Sequence, residues 1–399
     1  MKSTKALLLL LLACLAPMAP ASAAPDAVRP PTATTERRLQ RWYQDNNLAA
    51  NGGMPPDFIS RHDNLPSWTE SLKVMDGFGI NSVVYDRLLK QDANLATRLG
   101  EVWRSHDIPV LVDSIAATWA HHFGYDLAHP ATRNMLTRFR AWGWDVRSIA
   151  LQSVLSKPLG RGQGSYSMSK RVADVVTFFQ AIRPEHPNLK IGIIDALPAK
   201  GLVSGPDGYR AAYLQLKNSL AEAGYALDFI MMDYPIDFAL TGKVESHNGF
   251  RHSFEAMVEA ERYIEEVIGC QAILMLTSQR GGQASADQWR SDVLAGLQDY
   301  LKAGGSPYQV YLNAWYPEPV WSTPDEPDPA LNPNGATKLG TFRLVDEMLR
   351  AHEAGDPLNI KPDGVDRETS KKRDRKEPAN EVGEESGTLQ IRDFEPRRP

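Results

Sequence analysis

Acids, amides and aromatic residues recur in this sequence where short apolar runs end. Asp113 closes the apolar part of IPVLVDSI (108–115), Asp195 that of LKIGIIDALP (189–198), and Asp233-Tyr234 that of LDFIMMDYP (227–235). Asn313, Trp315, Tyr316 and Glu318 follow the core of PYQVYLNAWYP (307–317), with Trp321 just beyond. Asp86 ends INSVVYD (80–86), Gln152-Ser153 lies in VRSIALQSVL (146–155), and Ser278-Gln279-Arg280 ends CQAILMLTSQ (270–279). Trp119, His121 and His122 come soon after the 108–115 run. Two carboxyl groups in unequal environments can cleave an acetal: one protonates the leaving oxygen and the other attacks or activates water. Amides and further acids exchange hydrogen bonds with hydroxyls, and flat aromatic rings cover C–H faces. Asp195 and Asp233 form the candidate catalytic pair, with Asp113 and Glu318 in reserve. Asp86, Trp119, His121, Gln152, Tyr234, Gln279, Asn313, Trp315 and Trp321 are the candidate substrate-binding residues.

Each acid also has a plainer use, since an Asp after a strand often caps the next helix. The pattern gains weight from several acids falling at comparable positions. Other chemistries lack their signatures. His121, His122, Asp126 and His129 in HHFGYDLAH do not match the spacing of H-E-x-x-H, so no metal site is expected. Gly160-Arg161-Gly162-Gln163-Gly164 lacks the Lys-Ser/Thr of a phosphate loop and reads as a flexible loop. No G-x-S-x-G elbow is present, and no cofactor is expected.

The elements that must position these residues alternate. Eight apolar runs, the first being DFISRHD (57–63), are each followed by a segment of helical character. Pro130-Ala131-Thr132 opens one helix, while Gly224, Gly269 and Gly304-Gly305 close three others. FEAMVEAERYIEEVI (254–268) carries apolar residues near a 3.6 period, and the last helix falls within 335–353. Continuous apolar runs suit parallel strands covered on both faces. Eight βα units over residues 55–354 predict a single-domain α/β fold, a (β/α)8 TIM barrel; a doubly wound sheet would bring a Gly-rich first turn, which is missing. Trp142 and Trp144, just before the fourth run, are expected to plug the barrel floor, and Trp315 and Trp321 to flank its mouth.

The chain has 399 residues, 42% of them apolar and 23% charged, with a net charge of −5. That balance excludes wholesale disorder and offers no basic field for nucleic acid. Lys2 and Lys5, the apolar run 6–15 and Ala21-Ser22-Ala23 read as a secretory signal peptide over residues 1–23. A rival reading makes Cys14 a lipid anchor. Residues 24–54 read as a linker and N-terminal extension, and residues 355–399 as a disordered charged tail. The apolar N-terminal run is too short to span a bilayer, and no other stretch is long enough. A secreted or periplasmic location follows from the signal, and oligomeric state has no signature.

The plan of eight βα units, rim acids and aromatics, and a secretion signal resembles secreted TIM-barrel glycoside hydrolases. That resemblance implies a polysaccharide or oligosaccharide substrate. It also implies, in the large retaining clan, a Glu after strand four and another on strand seven. This chain reads ALQSVLS and LTSQRGG there, with Gln152-Ser153 and Gln279 in place of carboxylates. A catalytic pair on other strands, a non-catalytic polysaccharide-binding or export barrel, and a metal-dependent polysaccharide hydrolase or deacetylase are the three expectations, in that order. Deleting residues 360–399 should leave the melting temperature within about 5 °C of wild type in a thermal scan, because no large apolar cluster is removed.

Overall fold

The computed structural model describes residues 39–46, 69–81, 93–114, 130–155, 167–198, 208–245, 249–284, 286–315 and 338–356. Within these, eight parallel strands close on themselves in sequence order. They are β1 (Gln40–Asn46), β2 (Gly77–Asn81), β3 (Val110–Ser114), β4 (Val146–Gln152), β5 (Lys190–Asp195), β6 (Phe229–Met232), β7 (Gln271–Leu276) and β8 (Gln309–Trp315). The helices between them are α1 (Thr69–Leu72), α2 (Ala93–Ser105), α3 (Pro130–Ala141), α4 (Met168–Ile182), α5 (Gly208–Glu222), α6 (Ile236–Thr241), α7 (Phe254–Arg262), α8 (Gln279–Ala284) and α9 (Ala286–Lys302). A π-helical turn, Tyr263–Ile268, extends α7, and α10 (Lys338–Glu353) follows β8. The protein is a TIM barrel.

Six strands fall where the apolar runs place them. The first does not. β1 is QRWYQDN, inside the segment expected to be a linker, so the barrel begins before residue 55. Residues 57–63 lie outside the described residues. β2 also begins earlier than the 80–86 run and is GFGIN.

Strand alternation divides the core into two layers. Trp42, Leu111, Ala150, Ile194, Phe229, Met231, Ile273, Met275 and Tyr311 pack inside the barrel. Their sequence neighbours, such as Phe78, Val112, Ile193, Met232, Leu274 and Leu312, face the helices. Three interior positions are glycine because a large partner takes the space. A Cβ at Gly77 would run into the Trp42 indole, one at Gly192 into the Phe229 ring, and one at Gly79 into the Tyr311 phenol. These large–small pairs fill the interior. Trp142 and Trp144 are not its floor. Trp144 lies in the outer layer, where its indole Nε1 donates to the carbonyl of Ala96 on α2 at 2.7 Å, and Trp142 packs against the same layer.

The helices follow their sequence signals. Ser167 caps α4 by accepting from the amide of Lys170, and Val172, Val175, Phe178, Phe179 and Ile182 give it one buried face. Ser253 caps α7 in the same way through Ala256. Gly224, Gly269 and Gly304 all take positive φ at helix ends. Closure of the barrel joins the two ends of the fold: β1 pairs with β8 from Gln40↔Gln309 to Asn46↔Trp315. Arg41, only 3% exposed, faces outward there and meets Asp346 of α10 at 2.5 Å and Glu353 at 2.9 Å. The Asp76 carboxylate accepts the Arg41 backbone N–H at 2.9 Å. Replacing Arg41 with Met should cost about 1–3 kcal/mol in chemical denaturation, because the buried Asp346 carboxylate loses one of its two cations and keeps only Arg350.

Candidate active site

The inner faces of the strands end in polar residues at the C-terminal mouth, where TIM barrels carry their chemistry. Continuing the alternation from the inner apolar cluster, these residues are Gln44, Asn81, Asp113, Gln152, Asp233, Thr277 and Asn313. Asn81 and Asp113 are register partners on β2 and β3. Asn81 Nδ2 donates to Asp113 Oδ2 at 2.9 Å, a bond that suits an ionised carboxylate. The Tyr311 hydroxyl donates to Gln44 Oε1. Burial, and then the Asp113 charge, push the Tyr311 phenol well above its ordinary pKa, so it remains an O–H donor. Asn313 Nδ2 points to Met275 Sδ at 3.3 Å. Gln44 Nε2, Asn313 Oδ1 and Thr277 Oγ1 are buried without a protein partner.

Asp195 and Asp233 do not share the mouth. Asp195 continues the outward row of Ile191 and Ile193, is fully buried, and accepts from the Tyr213 hydroxyl of α5 at 3.0 Å. The Arg171 guanidinium on α4 feels its charge and donates to the Leu155 carbonyl at 2.7 Å. Asp233 lies beside Asp195 in the backbone, its N–H bonded to the Asp195 carbonyl at 2.8 Å. It nevertheless continues the inward row of Phe229 and Met231, and it is half-buried. Period-two geometry therefore separates the expected pair across the two faces of the sheet.

Tyr234 follows Asp233 in the outward phase, and its hydroxyl is taken up by two neighbouring side chains. Its hydroxyl donates to Glu245 Oε1 at 2.7 Å and touches His252 Nε2, and its ring stacks on His252 with centroids 4.2 Å apart. Asp237 accepts the backbone N–H groups of Gln279 and Arg280 at 2.9 and 3.2 Å, which caps α8. Burial raises the Asp237 pKa despite those two bonds. Ser278 donates to Asp292 at 2.7 Å on the helix side. Gln279 thus opens a capped helix, and the inward group at this strand end is Thr277. Gln152 and Asn313 stand on the inner face by the same alternation.

Asp86, Trp119, His121, Glu318, Trp321 and the Trp315 side chain lie outside the described residues. Gln44, Asn81 and Thr277 belong to the mouth but were not among the candidates. The period-two spacing of Gln40, Trp42 and Gln44 is the signal that would have found the first of them. Among the described residues, no three His, Cys, Asp or Glu side chains gather as a metal site, and no helix is long and apolar enough to cross a membrane.

No family profile matches the chain, and no curated protein matches its sequence. Solved structures are similar only distantly. Dihydrodipicolinate synthase from Agrobacterium tumefaciens is 12% identical with a TM-score of 0.40, covering 85% of this chain and 80% of its own. D-psicose 3-epimerase from Clostridium cellulolyticum is 11% identical with a TM-score of 0.38, covering 79% and 99%. A beta-glucosidase from Exiguobacterium marinum is 12% identical with a TM-score of 0.37, covering 70% and 88%. Fold and mouth together define a TIM barrel whose inner rim is rich in amides.

The Tyr234–His252–Glu245 cluster predicts a pH dependence. Burial, with Lys243 adding, lowers the His252 pKa below its ordinary 6.5, against the Glu245 hydrogen bond. The unfolded histidine therefore takes up its proton first as pH falls. The stability due to the neutral ring is complete above about pH 6.5 and is lost on acidification below it. Between about pH 7.5 and 5.5, the wild-type melting temperature should fall more steeply than that of His252→Gln.

Proposed function

We propose that this protein is an enzyme that hydrolyses a glycosidic bond in a polysaccharide or oligosaccharide, using Asp113 and Asp233 as its carboxyl pair. The observation that carries this reading is the barrel mouth. Carboxamides, a carboxylate, a threonine and a neutral tyrosine occupy inner strand ends, and three polar atoms there have no protein partner. Such a lining suits a ligand covered in hydroxyls, which both donate and accept. Asp113, holding the Asn81 N–H, suits the anionic role of nucleophile or base. Asp233, half-buried on the inner row of β6, suits the proton donor. Glu318 is the reserve acid, and Trp119, Trp315 and Trp321 are proposed to stack on sugar rings. The basic and apolar N-terminus supports secretion or a periplasmic location.

One observation favours a non-catalytic polysaccharide-binding barrel as the second reading. With Asp195 turned to the helices, Asp113 is the one fully buried carboxylate on the inner face among the described residues. A reducing-end assay over a panel of bacterial exopolysaccharides separates the two. The hydrolase reading expects release of new ends, and Asp113→Asn and Asp233→Asn should each cut turnover at least about 10²-fold with the far-UV spectrum intact. Binding without release across the panel would favour the second reading, and full activity in both variants would remove this carboxyl pair.

A further inference from the structure

We propose that Thr277, Asn313 and Gln44 form a subsite that holds one polyhydroxylated ring, such as a hexose, by its hydroxyls. This inference rests on the carbohydrate reading above and names the groups that would hold the sugar. The three residues are neighbours in space. Gln44 is the direct register partner of Asn313, and the β7–β8 register, Leu276↔Leu312, continued by one residue sets Thr277 beside Asn313. All three are buried, at 0%, 4% and 0% exposure for Gln44, Asn313 and Thr277. Neighbouring strands lie about 4.8 Å apart, so the row spans roughly 10 Å, the width of a pyranose with its hydroxyls.

Both amides are fixed at their other ends. The Tyr311 hydroxyl holds Gln44 Oε1, which leaves Nε2 as a donor. Asn313 spends Nδ2 on Met275 Sδ, which leaves Oδ1 as an acceptor. Thr277 Oγ1 can do either. The row therefore presents a donor, an acceptor and a group of both kinds. An anion would face the Asn313 oxygen and the neighbouring Asp113 charge. A cation would face the Gln44 N–H. An apolar ligand would leave all three groups unpaired, each at the cost of its desolvation. Hydroxyls satisfy the whole row. One unpaired amide alone would not make this case, because Gln309 Nε2 at the opposite end of β8 also lacks a partner. The distinguishing feature is three such atoms on consecutive strands at the mouth.

The test is ligand-observed NMR titration of the full chain with D-glucose, D-galactose and D-mannose, comparing wild type with Thr277→Val, Asn313→Leu and Gln44→Met. At least one hexose should bind wild type, and each variant should weaken it by about tenfold, the worth of a lost hydrogen bond. Thr277→Val is the decisive variant. It removes a hydroxyl with no protein partner, so it should weaken binding without lowering the melting temperature. Unchanged hexose affinity in Thr277→Val and Asn313→Leu overturns the subsite. So does a wild-type protein that hydrolyses a polysaccharide yet binds no hexose, and in that case the hydrolase reading stands. Binding that the variants weaken, in a protein that hydrolyses nothing, keeps the subsite and removes the hydrolase reading. Neither binding nor hydrolysis overturns both.

Discussion

Pairing β1 with β8 is the constraint on which the rest of this structure depends. An open sheet of eight strands would expose two edges and leave the inner face without an opposite wall. Here the first strand joins the last along its whole length, and Arg41 holds the seam from outside through Asp346 and Glu353. Glu353 also accepts the Leu39 N–H at 3.2 Å, so the end of the last helix holds the start of the first strand. A buried guanidinium is a costly device unless its partners are complete. At this seam it ties together segments some three hundred residues apart. Gln44 and Asn313, the two amides of the proposed subsite, are register partners across this closure, so the seam also sets their spacing.

The period of two along each strand decides which polar residues can do chemistry. Acids between the sheet and the helices, whether on an outward strand row like Asp195 or on a helix like Asp292 and Glu261, are committed to the fold. Asp195 takes the Tyr213 hydroxyl, Asp292 takes Ser278 and Arg280, and Glu261 takes the Tyr300 hydroxyl and the Ser306 N–H. These carboxylates satisfy helix starts, turns and hydroxyls between layers, where an unpaired group would be expensive. Polar groups on the inward rows at the mouth have fewer such obligations, and three of their atoms have none. Which polar atoms stay free for a ligand is therefore a matter of parity as well as of position along the strand.

Six strands and the eight-unit plan were legible because β3 to β8 are apolar runs with capped helices behind them. β1 was not, and its residues show why. Gln40 and Gln44 are polar because they line the barrel, and Arg41 is polar because it holds the seam, so QRWYQDN has no β-branched run. β2 hid for a related reason, since Gly77 and Gly79 yield their volume to Trp42 and Tyr311. Both strands depend on partners distant in sequence, which local pattern does not record. The site was legible in part. Asp113, Gln152, Asn313 and Asp233 were found as strand-end residues. Asp195 and Asp233 are adjacent along neighbouring strands, which pairs them in the sequence, but Asp195 shares the parity of Ile193 and Ile191 and so faces outward.

The distribution of polarity inside the barrel has its own consequence. A TIM-barrel interior built for stability alone is filled with layers of branched apolar side chains. This one follows that rule at mid-height, with Ile194, Met231, Ile273 and Met275 beside Trp42 and Phe229. One layer higher it changes to Gln44, Thr277 and Asn313, although valine or leucine would fit the strand geometry and avoid unpaired atoms. The amides are also fixed by Tyr311 and Met275, so they lose little further freedom on meeting a ligand. Preorganised, desolvated and unpaired groups hold a cost in the free protein that a matching ligand removes on binding. The mid-barrel apolar layer beneath them excludes water from below, which makes each of those hydrogen bonds worth more than it would be at the surface.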